Sequence, residues 1–286
     1  MLNYNDIKER YAQNPEPKEV SEVRRLITDS FSDLEFVEDV HKYYLPINGK
    51  KIELPSVSSV IEQWVPKVDW DEKAEMKAVK LGITKDEMLK QWHETNIRST
   101  SNGSQTHFFG ENCMNLFIGR EDKVKRDMTF QYTNDGYLIP YAPKEDAVTK
   151  YYEDILSNPD IYPVMPEAKV HTAYVNGIKH PYAGTFDILM AYRYKGRIVY
   201  SIHDFKSNTD IYKDYSRNWD VMMLEPFSNF YEEPFSHYAI QLSLYQIALM
   251  NLGIEVVDRN LIWLKDNKTY EKVKTPDLTK ELMAII

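Results

Sequence analysis

The chain has 286 residues, of which 43% are hydrophobic, and a formal net charge of -9. That size and apolar content suffice for a substantial core, while the acidity excludes a nonspecific nucleic-acid coat protein, whose affinity rests on many lysine and arginine contacts to phosphate. The lone cysteine, Cys113, excludes an intrachain disulfide and a four-cysteine zinc or iron–sulfur site, so any metal must be held by oxygen and histidine nitrogen.

The first thirty residues read as charged helix, with Val20-Ser-Glu-Val-Arg-Arg-Leu-Ile27 the best amphipathic stretch. No signal-peptide core opens the chain, and no apolar run is long enough for a membrane span, so a soluble cytoplasmic protein is expected, with no membrane partner. Short strands follow over 34–36, 41–47 and 51–54, the last two joined by an Asn48-Gly49 turn. Pro55-Ser-Val-Ser-Ser-Val-Ile-Glu-Gln-Trp64 begins a serine-capped helix, and 69–117 is helical, with the spacing of a capping box at Thr84-Lys-Asp-Glu87. The stretch 119–142 is charged and turn-rich, and 147–156 is a further helix. Strands are expected over 168–176, 182–194 and 197–206. A long polar and aromatic connection then spans 208–234. Ser236 caps a helix to about Asn251, with Gly253 at its end, and 260–265 with 269–274 forms a closing hairpin. Without a repeat, a low-complexity tract or a linker, the chain reads as one α/β domain over 1–286 with a helical elaboration at about 66–156.

Asp187, Asp204 and Lys206 carry the strongest chemical signal. Lys195-Gly196 reads as a two-residue hairpin turn, so Tyr194 pairs with Arg197 and, counting outward, Asp187 falls opposite Asp204. Like charges opposed across an antiparallel pair are destabilising, which implies a cation between them. Strand alternation points Lys206 the same way as Asp204 and turns Phe205 and His203 to the other face. In Gly103-Ser-Gln-Thr-His-Phe-Phe-Gly-Glu111, His107 and Glu111 share a helix face, as do Gln241 and Tyr245 in Gln241-Leu-Ser-Leu-Tyr245.

In order, Gly103-Ser-x-x-His107-x-x-x-Glu111, Gly184-x-x-Asp187, Asp204-x-Lys206 and Gln241-x-x-x-Tyr245 resemble the RecB-like branch of the PD-(D/E)XK nuclease superfamily. His41-Lys-Tyr-Tyr44 followed by Leu54-Pro-Ser-Val-Ser58 also resembles the opening of single-domain, phage-type members. The resemblance covers roughly residues 35 to 270. It departs from cluster-bearing relatives, which carry four cysteines.

The resemblance implies a restriction-endonuclease-like fold: a mixed central sheet flanked by helices. It implies a divalent-metal-dependent deoxyribonuclease, an exonuclease in phage-type recombination, replication or repair, located in the host cytoplasm if viral. By the same resemblance, DNA would be the substrate. A helicase or recombination protein is the expected partner, because the chain has no helicase motifs. His107, Asp187, Asp204 and the backbone carbonyl of Phe205 would hold the metal, and Lys206 would stand beside the attacking water. Glu111 is open between direct ligand, partner of His107 and exposed acid. Gln241 and Tyr245 either contact substrate or Lys206, or pack on the sheet. Oxygen ligands suit Mg²⁺ or Mn²⁺, and an imidazole tilts the preference toward Mn²⁺. Alternatives are a structure-specific endonuclease, a catalytically silent DNA-binding or assembly protein on the same fold, and a hydrolase of another phosphoester.

Other residues have plainer readings. Glu167 reads as a solvated strand-end acid, with an acidic contribution to the site as the alternative. His203 reads as structural, and Lys123-Val-Lys-Arg126 as a solvated turn. The aromatic residues Trp219, Phe227, Phe230, Tyr231 and Phe235 are divided between stacking on unpaired bases and burial over the active-site helix.

Overall fold

A computed structural model of the chain describes residues 15–124 and 144–286, with three positions before residue 15 and the backbone of two short strands, β4 (Gln131–Tyr132) and β5 (Leu138–Ile139). Its centre is a five-stranded mixed sheet built from β6 (Ile161–His171), β7 (Ala183–Tyr194), β8 (Arg197–Lys206), β9 (Val256–Leu264) and β10 (Tyr270–Lys274). The spatial order is β10-β9-β8-β7-β6. All neighbours are antiparallel except β8 and β9. Lys195 and Gly196 both have positive φ, 49° and 79°, as the tight turn joining β7 to β8 requires, and Tyr194 pairs with Arg197.

Helices cover both faces. On one side lie α1 (Lys18–Ser30), α2 (Val57–Ile61) and the long helix between β8 and β9. On the other lie the C-terminal half of a 33-residue helix, Lys85–Phe117, and the helix Glu145–Leu156. In chain order the remaining helices are α3 (Trp70–Leu81), α4 (Lys85–Phe117), α5 (Glu145–Leu156), α6 (Asp214–Asn218), α7 (Pro234–Met250) and α8 (Thr279–Met283). Residues 239–249 of α7 are buried apart from Gln241, because this helix is apolar all round and is enclosed by the sheet on one side and by α8 and neighbouring segments on the other. Crossing from β8 to β9 through α7 makes that strand pair parallel. A small sheet of β1 (Glu35–Val37), β2 (Lys42–Ile47) and β3 (Lys50–Leu54) packs beside Ala183 at the start of β7.

Several expectations shift. The helical run 69–117 is two helices, because Gly82 takes a left-handed φ of 69° and ends α3, after which the Thr84 capping box starts α4. β6 begins at Ile161 rather than 168. α7 starts at Pro234, with Glu233 in the capping position, so Ser236 lies within its first turn. The closing hairpin is longer on its first strand, and β9 joins it to the main sheet. Most of 119–142 lies outside the described residues. The aromatic connection divides: Phe227 is buried, Phe230 and Phe235 pack against the core, and Trp219 is exposed. No helix among the described residues is long and apolar enough to cross a membrane.

Candidate metal centre

Four elements meet at one end of β7 and β8. β8 carries Asp204 and Lys206, β7 carries Asp187, β6 carries Glu167, and α4 brings His107 down from above. The approach of α4 depends on Gly110: a Cβ there would sit 2.5 Å from Cε2 of Phe205, a ring that is itself buried. The Tyr152 hydroxyl donates to the Gly110 carbonyl at 2.8 Å and ties α5 to the same point. His107 lies one turn earlier, its ring edge-on to Phe205 at 6.2 Å.

Asp187 is held from two sides. His107 Nδ1 lies 3.1 Å from its Oδ2, and the Phe205 N–H donates to the same oxygen at 2.7 Å. The Phe205 backbone N–H thus helps fix the Asp187 carboxylate in place. The β7–β8 ladder runs from Tyr194↔Arg197 to Ile188↔His203, one step short of the two acids. At that step the regular alternation breaks, since Phe186 and Ile188 belong to cores on opposite faces of the sheet. Asp204 and Lys206 do share a face: the Lys206 ammonium rests against the buried Asp204 Oδ2 as an ion pair.

The electrostatics follow from crowding of unlike and like charges. Burial opposes a charged His107, but the charge and hydrogen bond of Asp187 outweigh it and push the imidazole up to about 9. Burial likewise works against ionised Asp187, yet His107, Lys206 and the Phe205 N–H hold it below the usual carboxylate range. Asp204 goes the other way. Burial and the neighbouring Asp187 push it up to about 6, against the pull of Lys206. Burial disfavours the Lys206 ammonium, but Asp204, Tyr238 and Asp187 keep it charged and well above the ordinary lysine range.

One nitrogen and two carboxylate donors converge. Donor atoms of His107, Glu167 and Asp187 all lie within 4.8 Å of one another. Ligands about 2.1 Å from a shared ion sit at most about 4.2 Å apart, so the set must draw in to share one Mg²⁺ or Mn²⁺. Glu167, which reads in the sequence as a solvated strand-end acid, lies within β6, half-buried, with a left-handed φ of 45°. Finding it needs the β6–β7 register. That register cannot be counted through the 172–182 connection.

The other expected residues are distributed differently. Glu111 and Asp204 fall outside the group of three converging donors. Gln241 Nε2 donates to the Tyr245 hydroxyl at 3.1 Å, and the Tyr245 ring packs where a Cβ on Gly184 would come within 2.7 Å of it. The ring over Lys206 is instead Tyr238, with the ammonium 4.2 Å from its centroid and its hydroxyl donating to Asn208 Oδ1 at 2.7 Å. His203 lies between the hydroxyls of Tyr151 and Tyr192, and burial holds its pKa well below the ordinary value. Of the basic run, Lys125 and Arg126 lie outside the described residues.

A cavity of about 540 Å³ opens beside His107 and Lys206. Asn96, Ser99, Thr100 and Gly103 of α4 line one wall, and Ser207, Asn208 and Tyr238 another. Lys144 closes the far side, its ammonium on the Ser207 carbonyl and 3.3 Å from Asp266. No protein-family model matches the chain, and comparison with curated proteins gives no match.

Proposed function

We propose that the chain is a divalent-metal-dependent deoxyribonuclease of the RecB-like PD-(D/E)XK type, on a restriction-endonuclease-like fold, hydrolysing phosphodiester bonds in the cleft beside Lys206. The observation that carries this reading is the convergence of His107, Glu167 and Asp187 next to a buried Asp204–Lys206 pair. Both carboxylates and the imidazole would hold Mg²⁺ or Mn²⁺, with Asp204 beside them paired to Lys206. When bound, such an ion acidifies water and offsets phosphate charge.

The chain's own groups do the rest. The raised pKa of Lys206 makes it a fixed positive charge rather than a base, suited to the charge that builds on phosphate oxygens. Asp204 and the Tyr238 ring hold that ammonium in place. Hydroxyl and amide groups along the cavity wall offer donors to a sugar–phosphate backbone without demanding a base sequence.

A formal net charge of -9 opposes tight binding to internal duplex, so action from ends or on single strands is the expected mode. The test is incubation with matched linear, closed-circular and single-stranded DNA, each with Mg²⁺, Mn²⁺ or EDTA. Metal-dependent loss of linear and single-stranded DNA ahead of closed circles is expected. Cutting of relaxed circles at the linear rate would point to an endonuclease, and no cutting of any substrate would remove the nuclease reading.

A further inference from the structure

An exposed strip of rings and ammonium groups lies at the far end of α4. Trp70 and Tyr215, 63% and 57% exposed, flank Lys73, whose ammonium is 5.6 Å from the first ring and 5.4 Å from the second. Trp70 meets Trp92 edge-on at 6.1 Å, and Lys77 lies 5.8 Å from the Trp92 ring. Trp219, 73% exposed, is one turn beyond Tyr215 and extends the same surface. Three separate helices, α3, α4 and α6, thus contribute to one patch. Trp92 also packs against the small core between α3 and α4, which fixes the position of its ring.

The strip is continuous with the cleft. Trp92, Asn96, Ser99, Gly103 and His107 recur at three- and four-residue spacing, so they run along one face of α4. The last four of these line the cavity. Fifteen residues of helix place Trp92 about 22 Å from His107. An extended single strand covers that span in roughly four nucleotides, inside the range bound by stacking proteins.

We propose that Trp70, Trp92 and Tyr215, with Lys73 and Lys77, form a stacking platform for single-stranded nucleic acid, from which the strand follows α4 to the metal centre. The chemistry selects this occupant. Each ring offers a face or edge to an unpaired base, each ammonium answers a phosphate, and the neutral polar wall between platform and cleft suits a backbone that must slide. A duplex presents no free base faces to such rings. The track's destination rests on the nuclease reading; the platform itself does not.

Fluorescence anisotropy of a labelled oligo(dT) of about a dozen nucleotides, titrated with the full chain in EDTA, reads binding without cleavage. Trp70→Ala and Tyr215→Ala should each weaken binding by about tenfold, within the range for one lost stacked base, while leaving the melting temperature unchanged because both rings are exposed. Lys73→Met should reduce the slope of log affinity against log salt by about one. Duplex of the same length should bind more weakly than oligo(dT) and be indifferent to both ring substitutions. No binding of oligo(dT) by the wild type, or affinity unchanged in both ring variants, would overturn the platform. If the ring variants instead dissociate a self-associated form while binding oligo(dT) normally, the patch is a protein contact and the platform is likewise overturned. Parallel Mn²⁺ digests separate the two readings: cleavage with insensitive binding removes only the platform, and sensitive binding without cleavage removes only the nuclease.

Discussion

Glu167 stands directly across the sheet from Asp187. Pro166 pairs with Ile188 and Ala168 with Phe186, so the two acids occupy the one unpaired step between them. Glu167 has a left-handed backbone there, a conformation that costs a non-glycine residue about 1–2 kcal/mol. Two acids facing each other, one of them on strained backbone, form a site that a cation relieves.

Glu167→Gln should therefore lower Mn²⁺ affinity by about tenfold or more, measured by calorimetry, because it removes a charged oxygen donor at constant volume. Comparing Glu167→Gly with Glu167→Ala isolates the backbone. Both lack the carboxylate, but the glycine variant should be the more stable by up to about 1 kcal/mol in denaturant melts. Equal stabilities would remove the strain argument.

Lys206→Ala should separate metal binding from chemistry. The ammonium sits on Asp204 and repels any cation held by its neighbours, so Mn²⁺ affinity should be kept or rise. Cleavage should fall by about a hundredfold or more, the scale of losing one preorganised charge at the phosphate. Simultaneous loss of metal binding in calorimetry would show that Lys206 holds the ligands in place instead.

The pH dependence of metal binding tests His107. Asp187 raises the imidazole above its unfolded value of about 6.5, to about 9 in the folded protein. The imidazolium–Asp187 pair therefore adds stability that is full below the unfolded pKa and is lost as pH rises through the folded one. Ligation runs the opposite way, since only neutral imidazole binds a metal and the proton must leave first. Mn²⁺ affinity should climb by about tenfold per pH unit below that value, and His107→Gln should flatten the slope. A flat wild-type profile would place His107 outside the metal shell.

Gly110→Ala should unsettle the site from a distance. Its added Cβ would meet the buried Phe205 ring at 2.5 Å, and α4 or the ring must move. Overpacking of this kind costs about 1–3 kcal/mol. A lowered melting temperature with weaker Mn²⁺ binding is expected, because His107 rides on the same helix. An unchanged melt would mean that α4 shifts freely over β8.

The β7–β8 hairpin was legible because Lys195-Gly196 is a two-residue turn from which pairing can be counted, and Asp204 and Lys206 share a face as alternation requires. Counting gave position but not direction: the break in alternation at Asp187 turns its carboxylate to His107 and the Phe205 N–H. Glu167 was hidden because an irregular connection and the register shift between Pro163 and Met165 separate it from any countable turn. The parallel pairing of β8 with β9 depends on where α7 packs, which is a tertiary outcome. Composition could not sort the aromatic connection either. Phe227 and Trp219 look alike in sequence, and only packing buries the first and exposes the second.

Release of acid-soluble nucleotides from linear duplex DNA in Mn²⁺, compared between the wild type and Asp187→Asn, tests the central claim most directly. The substitution keeps the side chain's volume and an oxygen for the Phe205 N–H while removing the charge that faces His107 and Glu167. Metal-dependent release by the wild type, reduced at least about a hundredfold in a variant that melts normally, is the predicted result. Release at the wild-type rate by Asp187→Asn, or release by the wild type that persists in EDTA, would contradict it.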